Sequence, residues 1–230
     1  MVDASVGGKN GVNFLGFKNY IGTFNRPEEI FICENFLETL PEKEKINGYI
    51  EMLKHGLIAD REHYDKVKMF LLSSVKEIKQ DLIAKSIAIK QQHVEQDFKD
   101  LGIRKRLNFG HTIGHAIESW SLAISEENQE LSHGVAVALG IICECHISKT
   151  ILGLSDNDFN EIVIVLQGIV KGLNHPLPQF KDLRPYLLRD KKNDGEGINF
   201  SLLPEIGKCT ENHLVDEDVI LEAVYYLHRI

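Results

Sequence analysis

The run from Leu131 to Leu152 restricts this chain more than any other. Val137, Ala138, Ile141, Ile142 and Ile147 make it apolar on most sides, and Ser132 stands where an N-cap belongs. A helix that apolar has to be enclosed by other elements, so it belongs at the centre of a domain. The remaining patterns supply helices to enclose it. Thr39-Leu40-Pro41-Glu42 reads as a capping box with proline in the first turn, and Ile46, Ile50, Leu53 and Leu57 follow on one face. Asp60 is placed to cap a helix carrying Tyr64, Val67, Phe70, Leu71 and Val75. A long pattern from about Ile78 to Phe98 turns Leu82, Ile83, Ile87 and Val94 inward, with Lys90, His93 and Asp97 on its polar side. Ser155 to Asp158 caps a helix running to about Gly172, Pro176 and Pro178 mark a loop, and a last helix begins near Asp216. Only two strands are expected, a buried one at Ile30 to Cys33 and one at Ile198 to Leu202, after the turn signal Asn193-Asp194-Gly195. The fold class is mainly α.

The chain has 230 residues, 43% of them hydrophobic, which suffices for one good-sized core. Its net charge of -8 is spread through mixed acidic and basic residues, with no basic stripe to suit nucleic acid. No apolar run reads as long enough to span a membrane, and Met1 to Gly8 has no apolar signal segment. Cys33, Cys143, Cys145 and Cys209 lack zinc-knuckle spacing and read as reduced thiols of a cytoplasmic protein.

Chemistry concentrates between Arg104 and Glu118, in R-K-R-L-N-F-G-H-T-I-G-H-A-I-E. His111 and His115 are one helical turn apart on one face, and Arg104 and Asn108 precede them at the same spacing. His133 opens the central apolar helix, where the helix dipole disfavours a proton on imidazole and leaves it neutral for a metal. Glu51 and Lys54 stand three apart upstream. One carboxylate with two or three imidazoles is a zinc set of the catalytic type, with a position open for substrate. Neighbouring Lys and Arg suit an anionic substrate. Simpler readings exist: a helical histidine pair is commonly structural, and the Asn47, Glu51, Lys54 stripe commonly a solvated face. Gly110 and Gly114 weigh against them, because glycine weakens a helix unless something must approach its backbone. The opening stretch, with Gly7, Gly8, Lys9, Gly11, Gly16 and Lys18, suits a loop around phosphate or carboxylate groups, although on the residues alone a flexible terminus is the favoured reading.

These motifs resemble the 3-dehydroquinate synthase family in order and spacing along essentially the whole chain. The matching runs are D-A-S-V-G-G-K at Asp3 to Lys9, G-F-K-N at Gly16 to Asn19 and E-M-L-K at Glu51 to Lys54. They continue with the Arg104 to Glu118 stretch, H-G-V-A-V-A at His133 to Ala138 and R-D-K-K at Arg189 to Lys192. The resemblance implies a helical C-terminal domain over 37–230. It also implies a remnant of an α/β nucleotide-binding domain over 1–36 and a small hairpin near 190–203. It implies that Glu51, His111 and His133 hold a divalent metal, zinc or cobalt. Lys54, Lys90, Arg104, Asn108, His115 and Asp100 would surround the substrate, with one of Lys191 and Lys192 also reaching it. Asp3, Lys9, Lys18 and Asn19 would line the cleft near cofactor and substrate. The implied reaction turns 3-deoxy-arabino-heptulosonate 7-phosphate into 3-dehydroquinate and phosphate, using NAD and the metal, in a homodimeric enzyme.

Three positions depart from the family pattern: Val135 for a usual Glu, Asp100 for a usual Glu and Asn10 for a usual Thr. Val135 removes a candidate for orienting a histidine. The family's Gly-rich dinucleotide loop does not occur in these 230 residues, so the expectation is a truncated chain that holds metal but does not turn over alone. Other readings remain at this level. One is a sugar phosphate cyclase making aminocyclitols, and one a metal-dependent alcohol dehydrogenase of the glycerol dehydrogenase type. A helical phosphohydrolase lacks its His-Asp dipeptide here. A silent dimerisation module conflicts with ionisable residues on apolar helices.

Overall fold

The computed structural model describes residues 1–14, 17–73, 78–126, 129–188 and 197–230, with the backbone alone for 13–14 and 17–20. Two hairpins flank a body of helices. β1 (Lys9–Phe14) pairs antiparallel with β2 (Phe17–Phe24). Then come α1 (Glu42–Ala59), α2 (Arg61–Leu72), α3 (Gln80–Gln96), α4 (His111–Ile124), α5 (His133–Leu152), α6 (Asp156–Val170) and α7 (Phe180–Leu187). β3 (Ile198–Glu205), β4 (Lys208–Val215) and α8 (Glu217–Tyr226) complete the chain.

α5 is the axis of the body, as its composition requires. It packs against α1, α4, α6, α8 and β3, and Ala136, Val137, Ala138, Ile141, Ile142 and Ile147 have no exposure at all. One sequence expectation needs correcting. α5, at 20 residues, is by length and composition apolar enough to cross a membrane, and 72% of its most apolar window is buried inside the fold. The apolar surface that would face lipid faces other helices instead, which is the behaviour of a core helix. Ser132 caps it, accepting the Val135 N–H at 3.4 Å. Asp60 caps α2 at the His63 N–H, 2.9 Å, and Ser155 caps α6 at the Asp158 N–H, 3.1 Å.

α1 starts one residue past Pro41 without a side-chain cap, so the expected box at Thr39 does not form. Glu42 and Glu44 in its first turn meet the exposed N–H groups electrostatically instead. Its second half, Ile50 to Ile58, is buried on every side. The solvated-face reading of Glu51 and Lys54 therefore fails: they are 4% and 1% exposed.

The strands differ most from expectation. Ile30 to Cys33 forms no strand, and Phe31 is 88% exposed. The stretch read as loop or flexible terminus forms the β1–β2 hairpin, and Val2 and Val6 ahead of it are buried. The second hairpin, expected near 190–203, spans Ile198 to Val215 among the described residues and turns at Ile206 and Gly207. Gly207 has φ +91°, and a Cβ there would sit 2.8 Å from the Arg61 nitrogen, so only glycine fits. β4 escapes sequence reading because K-C-T-E-N-H-L-V offers no apolar alternation. α7, with Pro185 inside it, follows the loop marked by Pro176 and Pro178 and had no reading in the sequence. Asn193-Asp194-Gly195 and Val75 fall outside the described residues.

Candidate metal and substrate site

α1, α4 and α5 converge at one end of the body. Glu51 comes from the buried middle of α1, and His111 and His133 from the first residues of α4 and α5. Glu51 Oε1 is 3.3 Å from His111 Nε2 and 3.3 Å from His133 Nε2. The three ligand atoms lie within 4.8 Å of one another. Atoms bound tetrahedrally to zinc at its usual bond lengths are spaced about 3.3 Å apart, so this donor set fits a divalent cation. His111 Nδ1 lies 3.1 Å from the Phe109 carbonyl. That carbonyl accepts a proton held on Nδ1, so Nε2 is the nitrogen turned toward Glu51 and the one placed to meet a metal.

The helix entries are built for close approach. Gly110 opens α4 at φ +78°, and a Cβ on it would lie 2.4 Å from Ile141 Cγ1. A Cβ on Gly114 would lie 3.1 Å from Val137 Cα, so the two glycines answer to helix α5 behind them. At α5, Asn47 Oδ1 accepts the Gly134 N–H at 2.7 Å and so ties α1 to the turn carrying His133.

The electrostatics correct one expectation. The dipole at the start of α5 was expected to keep His133 neutral. Burial acts the same way, yet hydrogen bonds to Glu118 and Glu51 outweigh both and raise its pKa to about 9. Its Nδ1 lies 3.4 Å from Glu118 Oε2 and its Nε2 faces Glu51. A carboxylate behind a histidine is the arrangement that orients a metal ligand. Glu118 is the carboxylate in that position here. Burial works to raise the pKa of Glu51, but Lys54 and the two imidazoles hold it well below the usual carboxylate range. Lys54 Nζ is 2.6 Å from Glu51 Oε2.

A second polar cluster lies next to the first. Asp3 Oδ1 meets Lys90 Nζ at 2.7 Å and His55 Nε2 at 3.5 Å, and His55 Nδ1 meets Ser86 Oγ at 2.6 Å. Burial lowers the pKa of Lys90 and of His55. Burial also works to raise that of Asp3, but Lys54, His55 and Lys90 together hold it far below its ordinary value. Arg104 is 3% exposed and donates to the carbonyls of Phe98 at 2.6 Å and Gly7 at 2.8 Å. It anchors the first loop against the segment after α3.

An open cavity of about 240 Å³ adjoins this ground, lined by Lys9, Asp100, Asn108, His111 and His115 among others. Lys9 and Asp100 pair across it. His115 faces the rings of His111 and His133, with centroids 5.1 and 5.9 Å away. Lys105 and Asn199 also line it. Asp3, Lys9, Glu51, Lys54, Lys90, Asp100, Arg104, Asn108, His111, His115 and His133 thus gather at one end of the body. Lys18 and Asn19 lie in β2, but their side chains, like Lys191 and Lys192 altogether, are outside the described residues. Sequence reasoning missed Asn47, His55, Lys105, Glu118 and Asn199. Three of them had a signal: Asn47 shares the Glu51 and Lys54 stripe, and Lys105 and Glu118 lie in the His-rich run.

Comparisons with known proteins give the family. The model of the 3-dehydroquinate synthase C-terminal domain matches residues 48–193, and that of the N-terminal domain matches 1–47. The chain belongs to the 3-dehydroquinate synthase family. Family members of that name from Parabacteroides distasonis and Pyrococcus furiosus are 40% and 39% identical to it, in each case over 97% of the chain. The chain spans 63% of the length of each of these two relatives. Among solved structures, 2-epi-5-epi-valiolone synthase from Streptomyces hygroscopicus, with NAD+ and Zn2+ bound, superposes with a TM-score of 0.83. It is 21% identical and matches 99% of this chain and 63% of its own. A 2-deoxy-scyllo-inosose synthase complexed with carbaglucose-6-phosphate, NAD+ and Co2+ gives a TM-score of 0.77 at 24% identity, over 98% of this chain and 63% of its own. At those identities the likeness is one of fold.

Proposed function

We propose that this chain is the metal- and substrate-binding part of a 3-dehydroquinate synthase, which converts 3-deoxy-arabino-heptulosonate 7-phosphate to 3-dehydroquinate and phosphate. The observation that carries the reading is Glu51 Oε1, 3.3 Å from each of two imidazole nitrogens in the buried end of a helical body. Glu51, His111 and His133 are the proposed ligands. Bound zinc or cobalt supplies Lewis acidity at a substrate oxygen, and NAD supplies the hydride acceptor.

The chain's own residues then hold an anionic substrate in one conformation. Lys54 keeps Glu51 ionised from behind. Lys90 and Lys9, each held by an aspartate, and the amide of Asn108 present donors to carboxylate or phosphate oxygens. His115 contacts substrate at the cavity rim, and Arg104 keeps the loop bearing Asp3 and Lys9 closed against α3. Asp3, Lys9, Lys18 and Asn19 belong to the side facing the cofactor, and Lys191 or Lys192 to the substrate side. In this reading residues 1–36 go with the nucleotide-binding half and 37–230 form the metal- and substrate-binding half. The buried free thiols Cys143, Cys145 and Cys209 support a cytoplasmic setting. Dimerisation of the longer enzyme is proposed on the family resemblance.

Calorimetric titration with zinc tests the metal reading. The wild-type chain is expected to take up one equivalent. Glu51→Gln, with the same shape and no charge, is expected to weaken binding about a hundredfold. Absence of stoichiometric zinc, or unchanged affinity in Glu51→Gln, refutes it. For the reaction, phosphate release from the heptulosonate phosphate is compared with release from glucose 6-phosphate, with NAD and zinc present. We expect the longer enzyme to act on the first and the 230 residues alone to act on neither. Dehydroquinate formation by the isolated chain refutes the second half.

A further inference from the structure

Glu144 lies midway along α5 with no exposure, an unusual place for a carboxylate. It faces the start of α4. Oε2 accepts the Gly110 N–H at 2.6 Å and Oε1 accepts the Ile113 N–H at 3.0 Å. Gly110 has no side chain with which to cap the helix it opens, so a residue of the neighbouring helix does so instead.

The first of these bonds reaches further than a cap. The Gly110 N–H and the Phe109 carbonyl belong to one planar peptide group, and in a trans peptide they point in opposite directions. The Phe109 carbonyl is the acceptor for His111 Nδ1 at 3.1 Å. Carboxylate, peptide and imidazole therefore stand in series, ending at a nitrogen 3.3 Å from Glu51 Oε1. Burial raises the pKa of Glu144 to about 8, so it acts by geometry: its two hydrogen bonds fix the Gly110 peptide, and the carbonyl end of that peptide stays aimed at the His111 ring. The peptide itself is fixed in orientation, because Gly110 is left-handed and Ile141 fills the space where a Cβ would go.

We propose that Glu144 is the positioning residue of His111. Acting through the Phe109–Gly110 peptide, it holds the imidazole proton on Nδ1 and keeps Nε2 open toward a divalent cation. The last clause rests on the metal reading above, while the first stands without it.

The test is Glu144→Gln, which keeps the shape but offers one acceptor oxygen to two N–H donors. In the metal-free chain, long-range ¹⁵N–¹H spectra report the tautomer of each histidine, and His111→Gln assigns the signal. Wild type is expected to keep the proton on His111 Nδ1 in full, and Glu144→Gln to show a fraction of His111 without it. Zinc affinity is expected to fall about tenfold in the variant. Glu144→Asp, which keeps the carboxyl group one methylene short, is expected to fall between and serves if Glu144→Gln does not fold. A wild-type tautomer in either folded variant overturns the proposal, even with weakened zinc, since that is what a purely structural role would do. If wild type binds no zinc, the metal reading fails and the tautomer decides the role of Glu144 by itself.

Discussion

Gly140 is the point where α4 and α5 touch backbone to backbone, and Gly140→Ala should move the site without touching any residue in it. A Cβ there would lie 2.1 Å from the Gly110 oxygen, 2.6 Å from the Gly114 nitrogen and 2.9 Å from Gly114 Cα. All three are main-chain atoms, so no side chain can swing aside. The helices would have to part by about 1 Å to restore ordinary contact distances. Overpacking of this kind costs about 1–3 kcal/mol where side chains give way. Here we expect the upper end, about 3 kcal/mol, or roughly 6–12 °C in Tm for a chain of this size. Parting the helices carries His111 away from Glu51, so zinc affinity should fall together with stability. Gly168 in α6 is the matched control: nothing lies within 4 Å of its added Cβ, and Gly168→Ala should stabilise by about 0.5–1 kcal/mol through helix propensity. Urea unfolding followed by circular dichroism, with zinc titration of each variant, reads both effects. A Gly140→Ala midpoint equal to that of wild type would show that α4 and α5 are not in this contact, and the geometry of the site would fall with it.

Other predictions are independent of that contact. His63 is 1% exposed, and neither ring nitrogen has a hydrogen-bond partner among the described residues. Burial pushes its pKa down to about 4, against about 6.5 in an unfolded chain. Between those values the unfolded state binds more protons, so stability is full above about pH 7 and declines as pH falls toward 4, by about 3 kcal/mol in all. His63→Phe should flatten that decline in urea unfolding measured across pH 4–7, and parallel curves for the two proteins would remove the assignment. Asp97 accepts the N–H groups of Leu101 at 3.0 Å, Gly102 at 2.7 Å and Arg104 at 3.2 Å. Asp97→Ala should destabilise by about 1–2 kcal/mol, with Asp97→Asn between it and wild type, on the same urea assay. Arg104→Lys should free the Gly7 carbonyl and speed proteolysis within the first ten residues, because lysine lacks the planar fork that reaches two carbonyls; an unchanged cleavage rate would count against the anchoring role.

Much of the helical body is set by local chemistry, and local chemistry is what a sequence displays. The caps at Asp60, Ser132 and Ser155 form as their residue types require, and the all-round apolar pattern of 131–152 required a central helix. The spacing of His111, His115 and Glu118 likewise put three side chains on one helix. The sequence could not place Glu51 against two histidines that lie 60 and 82 residues further along, because convergence of three helix ends depends on how they pack. Nor could it tell buried Glu51 and Lys54 from an exposed ion pair, since both have the same three-residue spacing. The proton on His133 was misjudged for the same reason. The dipole of its own helix is local and legible, whereas the opposing carboxylates arrive from α1 and α4, and at 3.3–3.4 Å they outweigh it. The β4 strand and the Ile30 segment show the reverse limit: a polar strand exists because it pairs with β3, and an apolar run stays out of any sheet where no strand among the described residues pairs with it. Side-chain identity set what each element could do, and packing decided which charges meet.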